Sequence, residues 1–167
     1  MHLTKLLIEE VDRESARTKR ALEQVPHDRD DWKPHPKSMP LGRLAGLVAS
    51  MMSWIPLIVE QDELDLTPPG GGQYHSPKTS ELVDALDKHT KKAHEALAKV
   101  DDNFLMTTKW RLKAGGHIVA NEFRHIVLRD TLNHLAHHRG QLTVYLRMND
   151  RTVPAIYGPS ADDQRFA

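Results

Sequence analysis

Cysteine is absent from the 167 residues. That excludes disulfides, thiolate metal ligands and a cysteine nucleophile, and it suits a cytoplasmic address. Charge of one sign is not in excess either: the formal net charge is zero and no basic block interrupts the sequence, so the electrostatic footprint of a nucleic-acid binder is missing. No stretch approaches the roughly 18 consecutive apolar residues of a membrane span. The N-terminal segment Met1–Glu10 has neither a long apolar core nor a small-residue cleavage site, so a secretory signal is not expected there. HExxH, the EF-hand loop and the GxSxG elbow do not occur, and Gly70-Gly71-Gly72 is not followed by GK[ST], which removes the commonest hydrolase and phosphate-binding motifs.

What is present reads as one soluble globular domain spanning 1–167, with apolar content of 39 % and charged content of 28 % sufficient for an ordinary core. There is no internal repeat. The spacing predicts a first helix over residues 3–25, whose stripe of Leu7, Val11, Leu22 and Val25 has Glu14 and Thr18 at its middle steps. Two polar residues inside an apolar stripe point toward the core, or sit at its boundary. A second helix is expected over 41–61, nearly uncharged after Arg43 and therefore the most buried. The Pro- and Gly-rich run 67–77 reads as a long connection. A third helix should start at Thr79 or Ser80, either a plausible cap. Residues 101–120 read as irregular with weak strand character, a small hairpin around Ala114-Gly115-Gly116 being one form of it. A fourth helix is expected over 121–148, with Asn121 as cap. The expected fold class is thus all-α: an up-down four-helix bundle with a long loop between helices two and three.

The fourth helix carries His134, His137 and His138 within five positions. On a helical wheel with His134 at zero, His138 falls at about 40° and His137 at about −60°. The leucines of this helix centre at about 115°, and Phe123, Val127 and Tyr145 lie within about 20° of His134. On the combined apolar arc His134 and His138 therefore form the inward pair, His137 falls outside it, and Asp130 at about −40° borders it. Two imidazoles four residues apart can begin a divalent metal site, although such pairs are more often hydrogen-bonded histidines than ligands.

The run His134-Leu135-Ala136-His137-His138-Arg139-Gly140-Gln141-Leu142, continued by Tyr145-Leu146-Arg147, resembles the signature of the DinB-like (YfiT-like) metalloenzyme superfamily. So do Trp32–Met39, Leu41-Gly42-Arg43-Leu44-Ala45 and Val153–Ser160, and the likeness covers nearly the whole chain in order. The resemblance implies a four-helix bundle, often dimeric, holding a divalent metal by three histidines. Two of them carry over onto His134 and His138. The third belongs on the second helix, where this chain has Leu47. Two imidazoles do not make a three-ligand catalytic site, and a carboxylate could substitute, Glu14 being the best placed and Asp130 less so.

Two functional readings follow. One is a metal-dependent hydrolase or thiol transferase with one divalent ion, zinc or nickel, whose Lewis acidity would activate a water or thiol beside Gln141 or Tyr145. The other is a non-catalytic, metal-free bundle that binds a small ligand or dimerises, with Glu14, Thr18, Leu47, His134, His138, Gln141 and Tyr145 as an inherited pocket. A homodimer, no nucleic acid and no membrane partner are expected under both.

Overall fold

A computed structural model describes residues 2–67 and 78–165; the 68–77 part of the long connection lies outside the described residues. Four helical columns form the core. Helix α1 (Leu3–Leu22) buries Leu7, Val11, Ala21 and Leu22, and Glu14 and Thr18 go inward with them, 2 % and 0 % exposed. Its first turn is capped from far along the chain: Asp102 accepts the amide N–H groups of Leu3 and Thr4, both at 2.9 Å. This carboxylate takes two of the amides that a helix start leaves without partners.

The second column is not one helix. Helix α2 (Leu41–Ser50) is followed by a 3₁₀ turn, Met51–Ser53, and then by α3 (Trp54–Glu60). Pro56 explains the break, because a proline has no N–H to donate and its ring crowds the carbonyl four residues back, at Met52. The column stays buried across the break, through Leu44, Val48, Met51, Met52, Ile55 and Ile58. By length and composition Leu41–Glu60 could cross a membrane, but more than half of that apolar window is buried inside the protein, as a core helix should be.

The third column begins with a 3₁₀ turn at Thr79–Glu81 and continues as α4 (Leu82–Leu97). Neither Thr79 nor Ser80 caps it; the Glu81 carboxylate accepts the Lys78 amide at 3.4 Å instead. The fourth column, α6 (Arg124–Met148), buries Leu128, Leu132, Leu135, Leu142 and Leu146. Helix α1 lies against α4 and α6, and the α2–α3 column lies against the same two.

The all-α expectation fails between these columns. A short helix α5 (Asp102–Thr107), capped by Asp101 at the Phe104 amide, leads into a sheet. Strands β2 (Lys109–Ala114) and β3 (His117–Phe123) pair antiparallel, and β1 (Glu63–Asp65) pairs parallel to β2 with Glu63 opposite Arg111. The chain is therefore mixed α/β: helices plus a three-stranded mixed sheet, order β1-β2-β3, rather than a pure four-helix bundle. The hairpin turn uses Gly115 and Gly116 at φ +59° and +80°, the left-handed pair that a two-residue turn requires. Asp65 fixes it by accepting both glycine amides, at 3.1 and 2.7 Å. Because β3 runs to Phe123, α6 begins at Arg124 rather than at Asn121.

Arg124 joins sheet to bundle. It is 3 % exposed and donates to the carbonyls of Ile58 and Gln61, to Asp62 at 2.7 Å and to Thr108 at 3.1 Å. Its guanidinium thus occupies the end of α3, where helix carbonyls lack partners and the dipole favours a cation.

Candidate functional site

The leucine stripe of α6 presses one face of that helix into the core and leaves the histidines beside it. His134 is exposed and His138 half-buried, so the pair lies on the rim of the stripe rather than within it. The buried stripe is carried by the leucines alone; Val127 and Tyr145, which widened the wheel's apolar arc toward His134, are only half-buried.

The pair is nonetheless joined. The His134 and His138 Nε2 atoms are 2.8 Å apart, with ring centroids at 4.5 Å. His138 Nδ1 meets Gln141 Oε1 at 2.8 Å, and Gln141 Nε2 meets His137 Nε2 at 3.1 Å. Donor counting orients the chain. An amide oxygen only accepts, so His138 carries its proton on Nδ1 and accepts at Nε2. His134 therefore donates from Nε2, and the amide NH₂ of Gln141 donates to His137. Partial burial, with the neighbouring His138 and His137 adding to it, pushes the His134 pKa below its ordinary value. One hydrogen bond between two ring nitrogens needs one of them bare, so this geometry excludes protonation of both rings at once.

Glu14 and Thr18 lie in a different cluster. Arg139, 1 % exposed, donates to Thr18 Oγ1 at 3.0 Å and to the Glu14 carbonyl at 3.2 Å, and its Nη2 lies 2.6 Å from Glu14 Oε2. Arg17 donates to the other Glu14 oxygen at 2.6 Å. The Tyr157 hydroxyl donates to Glu14 at 2.9 Å and accepts from Arg139 at 2.6 Å. Burial pushes the Glu14 carboxyl up, but the Arg139 charge and the hydrogen bonds from Arg17, Arg139 and Tyr157 outweigh it and hold the pKa below its ordinary value. Burial likewise pushes the Tyr157 phenol up, and donation to the Glu14 carboxylate adds to that rise.

The remaining expected site residues are scattered. Leu47 is half-buried against the core. Asp130 is exposed and faces Arg129 at 3.3 Å. Tyr145 donates to the Met39 carbonyl at 3.2 Å and meets Trp32 edge-on at 5.4 Å. Arg139 and Tyr157 went unnoticed in the sequence, yet one signal for Arg139 was there. On the same wheel it falls at about 140°, inside the leucine arc, and a buried cation demands a buried anion.

The profile of the DinB family matches residues 1–165. The chain belongs to the DinB family. Solved structures agree in fold. A DinB-like protein from Bacillus cereus superposes with a TM-score of 0.68 at 24 % identity, over 90 % of this chain and 95 % of that one. One from Bacillus subtilis gives 0.68 at 18 % identity, over 96 % and 99 %. No curated protein matches the sequence.

The three-histidine centre implied by the DinB resemblance does not fit the residues present. Leu47 offers no lone pair. Releasing Glu14 toward the histidines would strand the Arg139 guanidinium, and leaving a buried charge unpaired costs about 3–5 kcal/mol. Among the described residues no three His, Cys, Asp or Glu side chains converge. Two imidazoles remain, facing each other.

Proposed function

We propose that this DinB-family protein is a non-catalytic binding protein, working as a cytoplasmic homodimer that takes a small ligand without a resident metal. One observation carries the reading: Glu14, the carboxylate best placed to replace the missing histidine, is committed through both oxygens to Arg17, Arg139 and Tyr157. The zero net charge argues against a nucleic-acid partner. Val144 and Met148, one turn apart on the outer face of α6 and 57 % and 54 % exposed, offer apolar surface for a second copy. The test is elemental analysis with thermal unfolding. The purified protein should carry no stoichiometric metal, and its midpoint should be indifferent to chelator. One ion per chain, lost in His138→Ala, or a chelator-induced drop of several degrees, would overturn it.

A second reading, a metal-dependent hydrolase or thiol transferase, is favoured by the facing Nε2 atoms of His134 and His138, 2.8 Å apart. Two imidazoles on one zinc or nickel ion hold their nitrogens about 3.0–3.4 Å apart, so the pair would open only slightly to admit one. A bound thiol or water would then have to complete the site. Leu47→His separates the readings. If the missing side chain alone forbids metal, the variant should acquire about one divalent ion per chain, and His138→Ala added to it should abolish the uptake.

A further inference from the structure

Arg13, Arg17 and Arg20 lie at successive turns of α1, at spacings of four and three, and so share one face of the helix. With Ala16 they line a shallow groove of ≈ 400 Å³, a volume that admits a small molecule. Ala16 reaches little beyond the helix backbone, which leaves the floor between the guanidiniums open.

Two of the three cations are held in place from below. Arg17 Nε donates to the Ile156 carbonyl at 3.1 Å, and Arg20 Nη2 to the Ala155 carbonyl at 3.0 Å. The exposed Tyr157 ring backs Arg17, whose guanidinium carbon sits 4.5 Å from the ring centroid, a favourable cation–π placement. Anchored guanidiniums have already lost the rotamer freedom that a free surface arginine would surrender on binding.

Their charge is not spent. The groove lining contains no carboxylate. Glu14, which pairs with Arg17, pairs also with Arg139, so that cluster holds two cations for one anion. Of the carboxylates near the far side of Arg20, Asp162 and Asp163 are bound to Arg147 and Arg165, and Glu23 makes no ion pair with Arg20. Arg13 has no hydrogen-bond or ion-pair partner among the described residues. Arg20 Nε is buried with no acceptor, an unsatisfied donor of the kind that folded proteins rarely leave.

We propose that the Arg13–Arg17–Arg20 groove on α1 binds the oxyanion of a small molecule, a carboxylate or a phosphate. The planar forks of arginine match both groups, which accept paired N–H donors. The site is separate from the histidine pair and does not depend on whether that pair takes metal.

Titration of the full-length protein with inorganic phosphate and with citrate, at constant ionic strength balanced with chloride, tests this by calorimetry and thermal shift. Saturable binding and a raised unfolding midpoint are expected for at least one, and the stronger of the two identifies the group. Arg13→Gln and Arg20→Gln should each weaken binding about tenfold, the worth of one charge-assisted hydrogen bond. Arg13 is exposed, so its variant should unfold at the wild-type midpoint without anion; Lys91→Gln on the solvated face of α4 should bind as wild type does. A midpoint rise no larger than chloride gives, or binding untouched by Arg13→Gln, overturns the proposal.

Discussion

Arg139 sits among leucines at 1 % exposure. A lone guanidinium there would be untenable; Glu14, Thr18 and Tyr157 make it tolerable by accepting its hydrogen bonds. Glu14→Gln removes the countercharge while keeping the shape, and should destabilise the protein by about 3–5 kcal/mol. Replacing both partners with apolar residues of similar size, Glu14→Leu with Arg139→Met, should recover most of that loss. Chemical denaturation of the two single variants and the double measures this directly, and additive losses in the double variant would show that the residues do not act as a pair. At the surface, His134 offers a second residue-scale reading. Its pKa lies below the ordinary value of about 6.5, so the folded state holds its proton more weakly than the unfolded state. Stability therefore falls as the pH drops from about 6.5 through the folded midpoint. NMR titration should place that midpoint below the ordinary value, and His138→Ala should move it upward by removing a neighbouring positive charge.

Elements show where sequence periodicity stops being informative. The stripes of α1, α4 and α6 were legible because each repeats every three or four residues and faces one core. The same stripe left Glu14 and Thr18 either inward or at its boundary, and the structure turns both inward. Strand β1 is only Glu63–Asp65, too short to alternate visibly, and its partner in β2 lies nearly fifty positions on. Helix α5, six residues long, is equally below the reach of a helical pattern. The break at Pro56 was readable from proline chemistry, yet the apolar stripe runs straight through it. For the site, the wheel paired His134 with His138 correctly but put them too deep, because half-buried aromatic and valine side chains counted as core. One element junction carries its own pH test. The N–H groups of Thr4 and Leu3 hold the Asp102 carboxyl at a pKa of about 2, well under the unfolded value of about 3.9. Its contribution to the start of α1 is therefore complete above about pH 3.9 and lost as the pH falls through the folded value. Protection of the Leu3 and Thr4 amides against hydrogen exchange, taken relative to the intrinsic rate at each pH, should fall over that interval, and Asp102→Asn should show reduced protection already at neutral pH.

At the scale of the molecule, the frame is the DinB fold with a three-stranded sheet drawn from two connections, β1 after α3 and the β2–β3 hairpin before α6. The segment after α6 is part of that frame rather than an appendage. Ala155 and Ile156 receive Arg20 and Arg17, Tyr157 closes the Arg139 cluster, and Asp162 accepts both the Val153 amide and Arg147. Deleting residues 153–165 should therefore lower the thermal midpoint of the whole protein in one cooperative transition, and an unchanged midpoint would show the segment to be dispensable.

The Glu14–Tyr157 bond spans 143 residues, and this separation governs the order of events during synthesis. The ribosome makes α1 long before its distant partners, and for most of translation its central carboxylate has only Arg17, three residues on, and neither the Arg139 guanidinium nor the Tyr157 phenol that it meets in the finished protein. That helix completes its contacts only when the segments carrying Arg139 and Tyr157 have been made. Completion of this buried cluster is therefore expected to trail the synthesis of α1 by nearly the whole helical core.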